Sequence, residues 1–168
     1  MNVILLTHER EVERPTNTGA VALKAYPQWC RRIIWSRVSP DETVLELLQQ
    51  SSTAVLYPAV TCQSGVSEDA NSNETIVSGS YLTELPETLI IIDATWQEAR
   101  KMIRQSPYLQ QANKFALPDL QSRFKLRRNQ VEGGLCTLEC IISLCLLNER
   151  YAEAENLEQL FLSVNQAR

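Results

Sequence analysis

Apolar and polar positions alternate in blocks along this chain, and the blocks predict repeated strand–helix units. A short apolar run at Val3–Leu6 reads as a first strand. It is followed by a polar loop at Thr7–Pro15 and a helix near Thr18–Ala25. Arg32–Ser36 reads as a second strand. The next helix carries start signals, with Ser39 as N-cap, Pro40 at the first helical position and Glu42 at the third. Its apolar residues Val44, Leu45, Leu47 and Leu48 form one stripe. Ala54–Tyr57 reads as a third strand, stopped by Pro58, and residues 62–80 are rich in Ser, Asn, Glu and Gly and read as a surface loop. Leu89–Ile92 is all apolar and mostly β-branched, as in a strand buried on both faces. A helix opens at Trp96 and runs to about Gln105; Ser106-Pro107 starts a turn or short helix. Lys114–Leu117 and Arg123–Arg127 read as short strands, and helices at about Leu135–Asn148 and Ala152–Asn165 close the chain. Repeated βα units imply an α/β fold: one domain over residues 1–168, with a mostly parallel sheet and helices on both faces.

The most informative stretch is Asp93-Ala94-Thr95-Trp96, at the end of that buried strand and ahead of Gln97-Glu98-Ala99-Arg100-Lys101-Met102. Ligands in open α/β sheets bind beyond the carboxyl ends of strands. A carboxylate, an indole and the cations Arg100, Lys101 and Arg104 converge there, a set suited to proton abstraction from a nucleobase whose phosphates are gripped by the cations. Each residue also has a plainer role. Thr95 and Glu98 make a capping box, which leaves Asp93 free of capping duty. Asp93 could form an Asx-turn or an ion pair with Arg100, and Trp96 could pack on the sheet.

Composition is that of an ordinary globular domain, with 44% apolar and 21% charged residues in a chain of 168, and the chain shows no leader or membrane-spanning run. A soluble, cytoplasmic protein is the expectation. The five cysteines form no CxxC pair and the single histidine, His8, lies far from them, so no metal site is expected. The net charge of −4 conceals a strong segregation. Val38–Ala99 holds ten acids and no Lys or Arg, whereas Arg100–Arg128 holds eight bases and one acid, Asp119. Such a distribution predicts a positive face able to bind phosphates, or else a solvated helix and a basic edge strand.

Two further constellations stand out. His8-x-x-Glu11-x-x-Arg14-x-Thr16-Asn17-Thr18-Gly19 follows the first strand. His8 and Arg14 could meet a base or phosphates, while the Thr-Asn-Thr-Gly run could simply turn and cap. Gly133-Gly134 precedes Leu135-Cys136-Thr137-Leu138-Glu139, where backbone N–H groups could approach a ligand or the glycines could only make a turn. Neither a dinucleotide nor a Walker fingerprint is present.

Taken in order, these motifs resemble the DTW-domain family. The run from His8 to Gly19 is similar to its H-P-x-E-x-x-R-x-T-N-T-G, Leu56-Tyr57-Pro58 to its L-Y-P, and Asp93–Met102 to its D-[GA]-T-W-x-[EQ]-A-[RK]-K-M. Lys125-Leu126-Arg127 and Leu135–Glu139 are similar to its L/I-R and L-S-T-x-E-A segments, so the resemblance spans about residues 4–147. It implies a SPOUT-like α/β fold with a C-terminal trefoil knot. It implies transfer of the 3-amino-3-carboxypropyl group of S-adenosyl-L-methionine to N3 of a uridine in tRNA, with relatives acting on ribosomal RNA. By this resemblance the co-substrate sits against Leu56, Tyr57, Pro58, Thr95, Trp96, Leu135, Cys136, Thr137 and Glu139. Asp93 is the candidate general base, and His8, Arg14, Arg100, Lys101, Lys125, Arg127 and Arg128 the RNA contacts. A knotted RNA methyltransferase and a non-catalytic RNA-binding module are the competing classes. The chain departs from the pattern at Glu9 (family Pro), Cys136 (Ser) and Cys140 (Ala), and lacks a proline near Asn129 or Gln130. It also starts at the first strand, without the cysteine-rich N-terminal segment common in the family, so any docking role of that segment is expected to be absent or supplied otherwise.

Overall fold

The computed structural model describes residues 1–58, 79–118 and 135–166. Five strands form one sheet: β1 (Asn2–Thr7), β2 (Cys30–Ile34), β3 (Thr53–Leu56), β4 (Thr88–Asp93) and β5 (Lys114–Phe115). Their order is β2-β1-β4-β3-β5, and every pairing is parallel. Seven helices accompany them among the described residues: α1 (Glu9–Val12), α2 (Gly19–Ala25), α3 (Glu42–Leu48), α4 (Trp96–Arg104), α5 (Pro107–Gln111), α6 (Thr137–Leu147) and α7 (Tyr151–Gln166).

Strand alternation sorts the core into two layers, because successive side chains point to opposite faces of a sheet. Val3, Leu5, Leu89 and Ile91 point to one face, where Leu138, Ile141 and Leu144 of α6, Leu157 and Phe161 of α7 and Ala22 of α2 cover them. Ile4, Leu6, Ile90 and Val55 point to the other, under Val44 of α3, Met102 of α4 and Leu109 of α5. The expected α/β architecture with helices on both faces is therefore present. Among the described residues no helix is long and apolar enough to cross a membrane.

Three local expectations need correction. The segment read as a polar loop between Thr7 and Pro15 contains α1, whose N-cap is His8, its Nδ1 accepting the N–H of Arg10 at 3.3 Å. Helix α3 is capped by Asp41, not Ser39: the Asp41 carboxylate accepts from the N–H of Val44 at 3.2 Å, while Ser39 is held in a turn by the Ser36 hydroxyl. A carboxylate at the N-cap also favours the positive end of the helix dipole, which a serine does less well. The second strand begins two residues early, at Cys30, because Val3 of β1 pairs with it in register and Thr7 pairs with Ile34. The expected strand at Arg123–Arg127 and the Gly133-Gly134 turn lie outside the described residues.

Lys114 departs furthest from its expectation. It counts among the bases of the presumed positive face, yet it is fully buried. Its Nζ donates to the carbonyls of Leu109 at 2.8 Å, Gln110 at 3.2 Å and Ala112 at 2.5 Å. These oxygens belong to the C-terminal end of α5 and the turn after it, where helical carbonyls lack partners. The ammonium ties α5 to β5, so it is lost to phosphate binding.

Candidate active site

The carboxyl ends of β1 and β4 lie side by side, with Thr7 and Asp93 paired in register. Asp93 is 2% exposed. Its Oδ2 accepts the Thr7 hydroxyl at 3.1 Å and the Asn17 amide at 2.9 Å, and its Oδ1 accepts the Thr137 hydroxyl at 2.9 Å. Arg32 of β2 places a guanidinium nitrogen 3.9 Å from Oδ2. The ion pair weighed for Asp93 at the sequence level is thus made with Arg32 rather than Arg100. One carboxylate joins β1, β2, the turn before α2 and the first residue of α6.

The Thr16-Asn17-Thr18-Gly19 run serves this junction. Asn17 Nδ2 also donates to the Glu11 carbonyl at 3.0 Å, while Asn17 Oδ1 accepts the N–H of Ala20 at 2.8 Å and caps the start of α2. The hydroxyl of Thr18 accepts the N–H of Leu138 at 3.4 Å, which ties α2 to α6. Gly19 leaves room for the carboxylate: a Cβ there would lie 2.8 Å from Leu5 Cδ1 and 3.1 Å from Asp93 Oδ1. Both atoms belong to buried side chains, so the added methyl must displace packed or hydrogen-bonded groups. Gly19→Ala is therefore expected to cost about 1–3 kcal/mol of stability, read as a lowered urea midpoint; an unchanged midpoint would contradict this packing.

Helix α6 presents its N-terminus to the junction. Cys136 is the N-cap residue, and Glu139 reaches back to its N–H at 2.9 Å. Both are buried. Burial pushes the Cys136 thiol up to about 12, and the nearby Glu139 charge adds to the rise, so this sulfur stays a thiol. On the other side of the sheet, α4 opens with the expected capping box: Thr95 Oγ1 accepts from the N–H of Glu98 at 3.3 Å, and Glu98 Oε2 accepts from the N–H of Thr95 at 3.1 Å. Burial alone would raise the Glu98 carboxyl; the hydrogen bonds from Thr95, with His8 and Arg14 nearby, outweigh it and hold the carboxyl below its ordinary value. Among the described residues the buried indole N–H of Trp96 has no hydrogen-bond partner.

The structure divides what the sequence gathered into one site. Asp93, Cys136, Thr137 and Glu139 meet on the α6 side, and Leu56 packs against the same core layer as Cys136. Leu135 is half-buried beside them in sequence. Tyr57 donates its N–H to Phe115 at 3.0 Å, and the carbonyl of exposed Pro58 accepts the Tyr81 hydroxyl at 2.7 Å. His8 and Lys101 line a cleft on the α4 side instead, whereas Arg100 is exposed to solvent. Arg14 is paired with Glu11. Lys125, Arg127 and Arg128 lie outside the described residues. Thr7 and Arg32 are the members that sequence reasoning missed. Their signals were a polar residue ending an apolar strand, and two arginines ahead of Ile33-Ile34.

A parallel α/β sheet whose carboxyl edge is tied through Asp93, Asn17 and Thr137 places the three motifs His8–Gly19, Asp93–Met102 and Leu135–Glu139 at one end of the molecule. The chain belongs to the DTW-domain family, whose DTW domain model matches residues 1–168. It is similar to tRNA-uridine aminocarboxypropyltransferase 2 of Macaca fascicularis, with 26% identity over 153 residues, covering 88% of this chain and 48% of that protein. The chain thus spans about half the length of this curated relative. No solved structure gives a significant match.

Proposed function

We propose that this chain is a single SPOUT-like domain that transfers the 3-amino-3-carboxypropyl group of S-adenosyl-L-methionine to N3 of a uridine in tRNA. The family membership and the name of the relative support the reaction class. The observation that carries the assignment to this end of the sheet is the buried Asp93 carboxylate, which locks the N-terminus of α6 to the ends of β1 and β4. The C-terminal trefoil knot is part of the proposal; it turns on the course of residues 119–134, outside those described.

The residues present fit the co-substrate. Two buried carboxylates, Asp93 and Glu139, stand near the start of α6 and give this end of the sheet the negative charge that complements a sulfonium. When bound, S-adenosylmethionine supplies a γ-carbon activated by its sulfonium. The chain's part is to orient. Because all three sulfonium substituents are activated, selection of the γ-carbon over the methyl rests on geometry.

A general base needs a lone pair free to face the substrate. Three donors and Arg32 already surround the Asp93 carboxylate, so its role in this reading is that of a positioning residue: it fixes the Thr137 hydroxyl and the Asn17 turn. Thr137→Ser, which keeps the hydroxyl, is expected to retain transfer, and Thr137→Val to lower it on the order of tenfold or more, about the loss of one hydrogen bond to a charged group. Equal rates for the two variants would remove Thr137 from the site. The test of the function itself is nucleoside mass spectrometry of tRNA incubated with the protein and S-adenosylmethionine. An aminocarboxypropyl-uridine is expected; a methylated nucleoside, or unmodified tRNA, would overturn the assignment.

A further inference from the structure

A concavity opens on the opposite side of the sheet from the Asp93 carboxylate. It is a cleft of about 340 Å³, between the end of β1, the residues after β2 and the first turns of α4. That size lies at the lower end of small-molecule sites, roughly 300–1,000 Å³. His8 and Trp35 line it with rings stacked at 5.8 Å and 24°. The Trp35 indole N–H donates to the Ser106 hydroxyl at 2.9 Å, so the plane of this ring pair is fixed before any ligand arrives. Arg10, Arg37 and Lys101 also line the cleft, each of them exposed. Two carboxylates oppose them, but Glu98 is engaged by Thr95, which leaves Glu9 as the acid at the rim.

From this arrangement we infer that the cleft holds one nucleotide of the RNA strand next to the modified uridine, its base against the His8–Trp35 pair and its phosphates on Arg10, Arg37 and Lys101. The inference rests on the RNA-modifying reading above. Fixed aromatic planes flanked by cations are the means by which proteins hold single-stranded nucleic acid without reading its sequence. The neighbouring position, rather than the target position, follows from topology. Asp93 faces α6, whereas the cleft is walled by α4; the two are joined through the backbone, where the N–H of His8 donates to the Asp93 carbonyl at 3.1 Å. A strand with one nucleotide in the cleft therefore passes over the end of β4 on its way to the α6 side.

The experiment uses the full chain and a short uridine-containing single-stranded RNA with 4-thiouridine placed in turn at each position. Affinity is measured against salt for the wild type, for the double variant Arg10→Gln/Arg37→Gln and for Lys24→Gln on α2, which serves as a control for lost charge. The double variant should bind on the order of tenfold more weakly, with a salt slope shallower by about 1.4 and an unaltered melting temperature. Lys24→Gln should bind within about twofold of the wild type, and the photo-crosslink should map to Trp35 or His8. A wild type that binds RNA while the double variant matches Lys24→Gln, or that crosslinks only elsewhere, overturns this assignment alone. A wild type that binds no RNA overturns it together with the reading on which it rests.

Discussion

Asp93→Ala is expected to lower stability by about 3–5 kcal/mol and to abolish transfer. The carboxylate is 2% exposed and receives donors from Thr7, Asn17 and Thr137. Removing it takes the acceptor from the Thr137 hydroxyl and from one N–H of the Asn17 amide, leaves the Thr7 hydroxyl only the Leu5 carbonyl at 3.3 Å, and leaves Arg32 without its counter-charge. Asp93→Asn separates these effects. An asparagine can keep an oxygen where Thr7 and Asn17 donate and place its amide toward Thr137, whose hydroxyl can turn and accept. What remains lost is the charge opposite Arg32, 3.9 Å away. The asparagine variant should therefore lose only about 1–2 kcal/mol, remain folded at room temperature, and still transfer on the order of a hundredfold more slowly. Urea midpoints and initial rates on the two variants check both parts. An alanine variant as stable as the wild type would show that the carboxylate ties nothing together.

Lys114→Met is the second large effect, about 2–4 kcal/mol of destabilisation. The methionine fills the space of the aliphatic stem but leaves the carbonyls of Leu109, Gln110 and Ala112 without their donor. The penalty carries a pH signature. Burial pushes the Lys114 ammonium down to about 8, whereas a lysine in an unfolded chain titrates near ~10.4. Between those values the unfolded chain holds more protons than the folded one, and stability from this group rises with pH across that window. Below about 8 both states are charged, and above about 10.4 both are neutral, so the contribution is flat on either side. The gap in urea midpoint between wild type and Lys114→Met should widen between pH 8 and pH 10. A gap that narrows would reverse the assigned sign.

Much of the fold was legible because the chain states it in local terms. Leu89–Ile92 reads as a strand buried on both sides, and β4 is the central strand of the sheet. Thr95 and Glu98 announced the start of α4, and the capping box is formed as read. Boundaries governed by cross-strand register were less legible. Cys30 joins β2 because Val3 stands opposite it, a fact that no property of residues 30–36 contains. The site was legible as a list of motifs but not as a geometry. Asp93 and Lys101 are eight positions apart on one strand–turn–helix unit, yet strand alternation turns the acid toward α6 while the helix carries the lysine to the other side. Lys114 shows the same limit. A lysine among seven other bases reads as surface charge, and only the fold brings three carbonyls around it.

The central claim is that this end of the sheet directs attack to the γ-carbon of the methionine moiety. Its most direct measurement is the nucleoside product released when the protein, S-adenosylmethionine and tRNA react, quantified for wild type and Asp93→Asn. The account predicts 5′-methylthioadenosine in step with modified uridine for the wild type, and a loss of both on the order of a hundredfold for the variant. Release of S-adenosylhomocysteine instead would contradict it, since that product marks transfer of the methyl group.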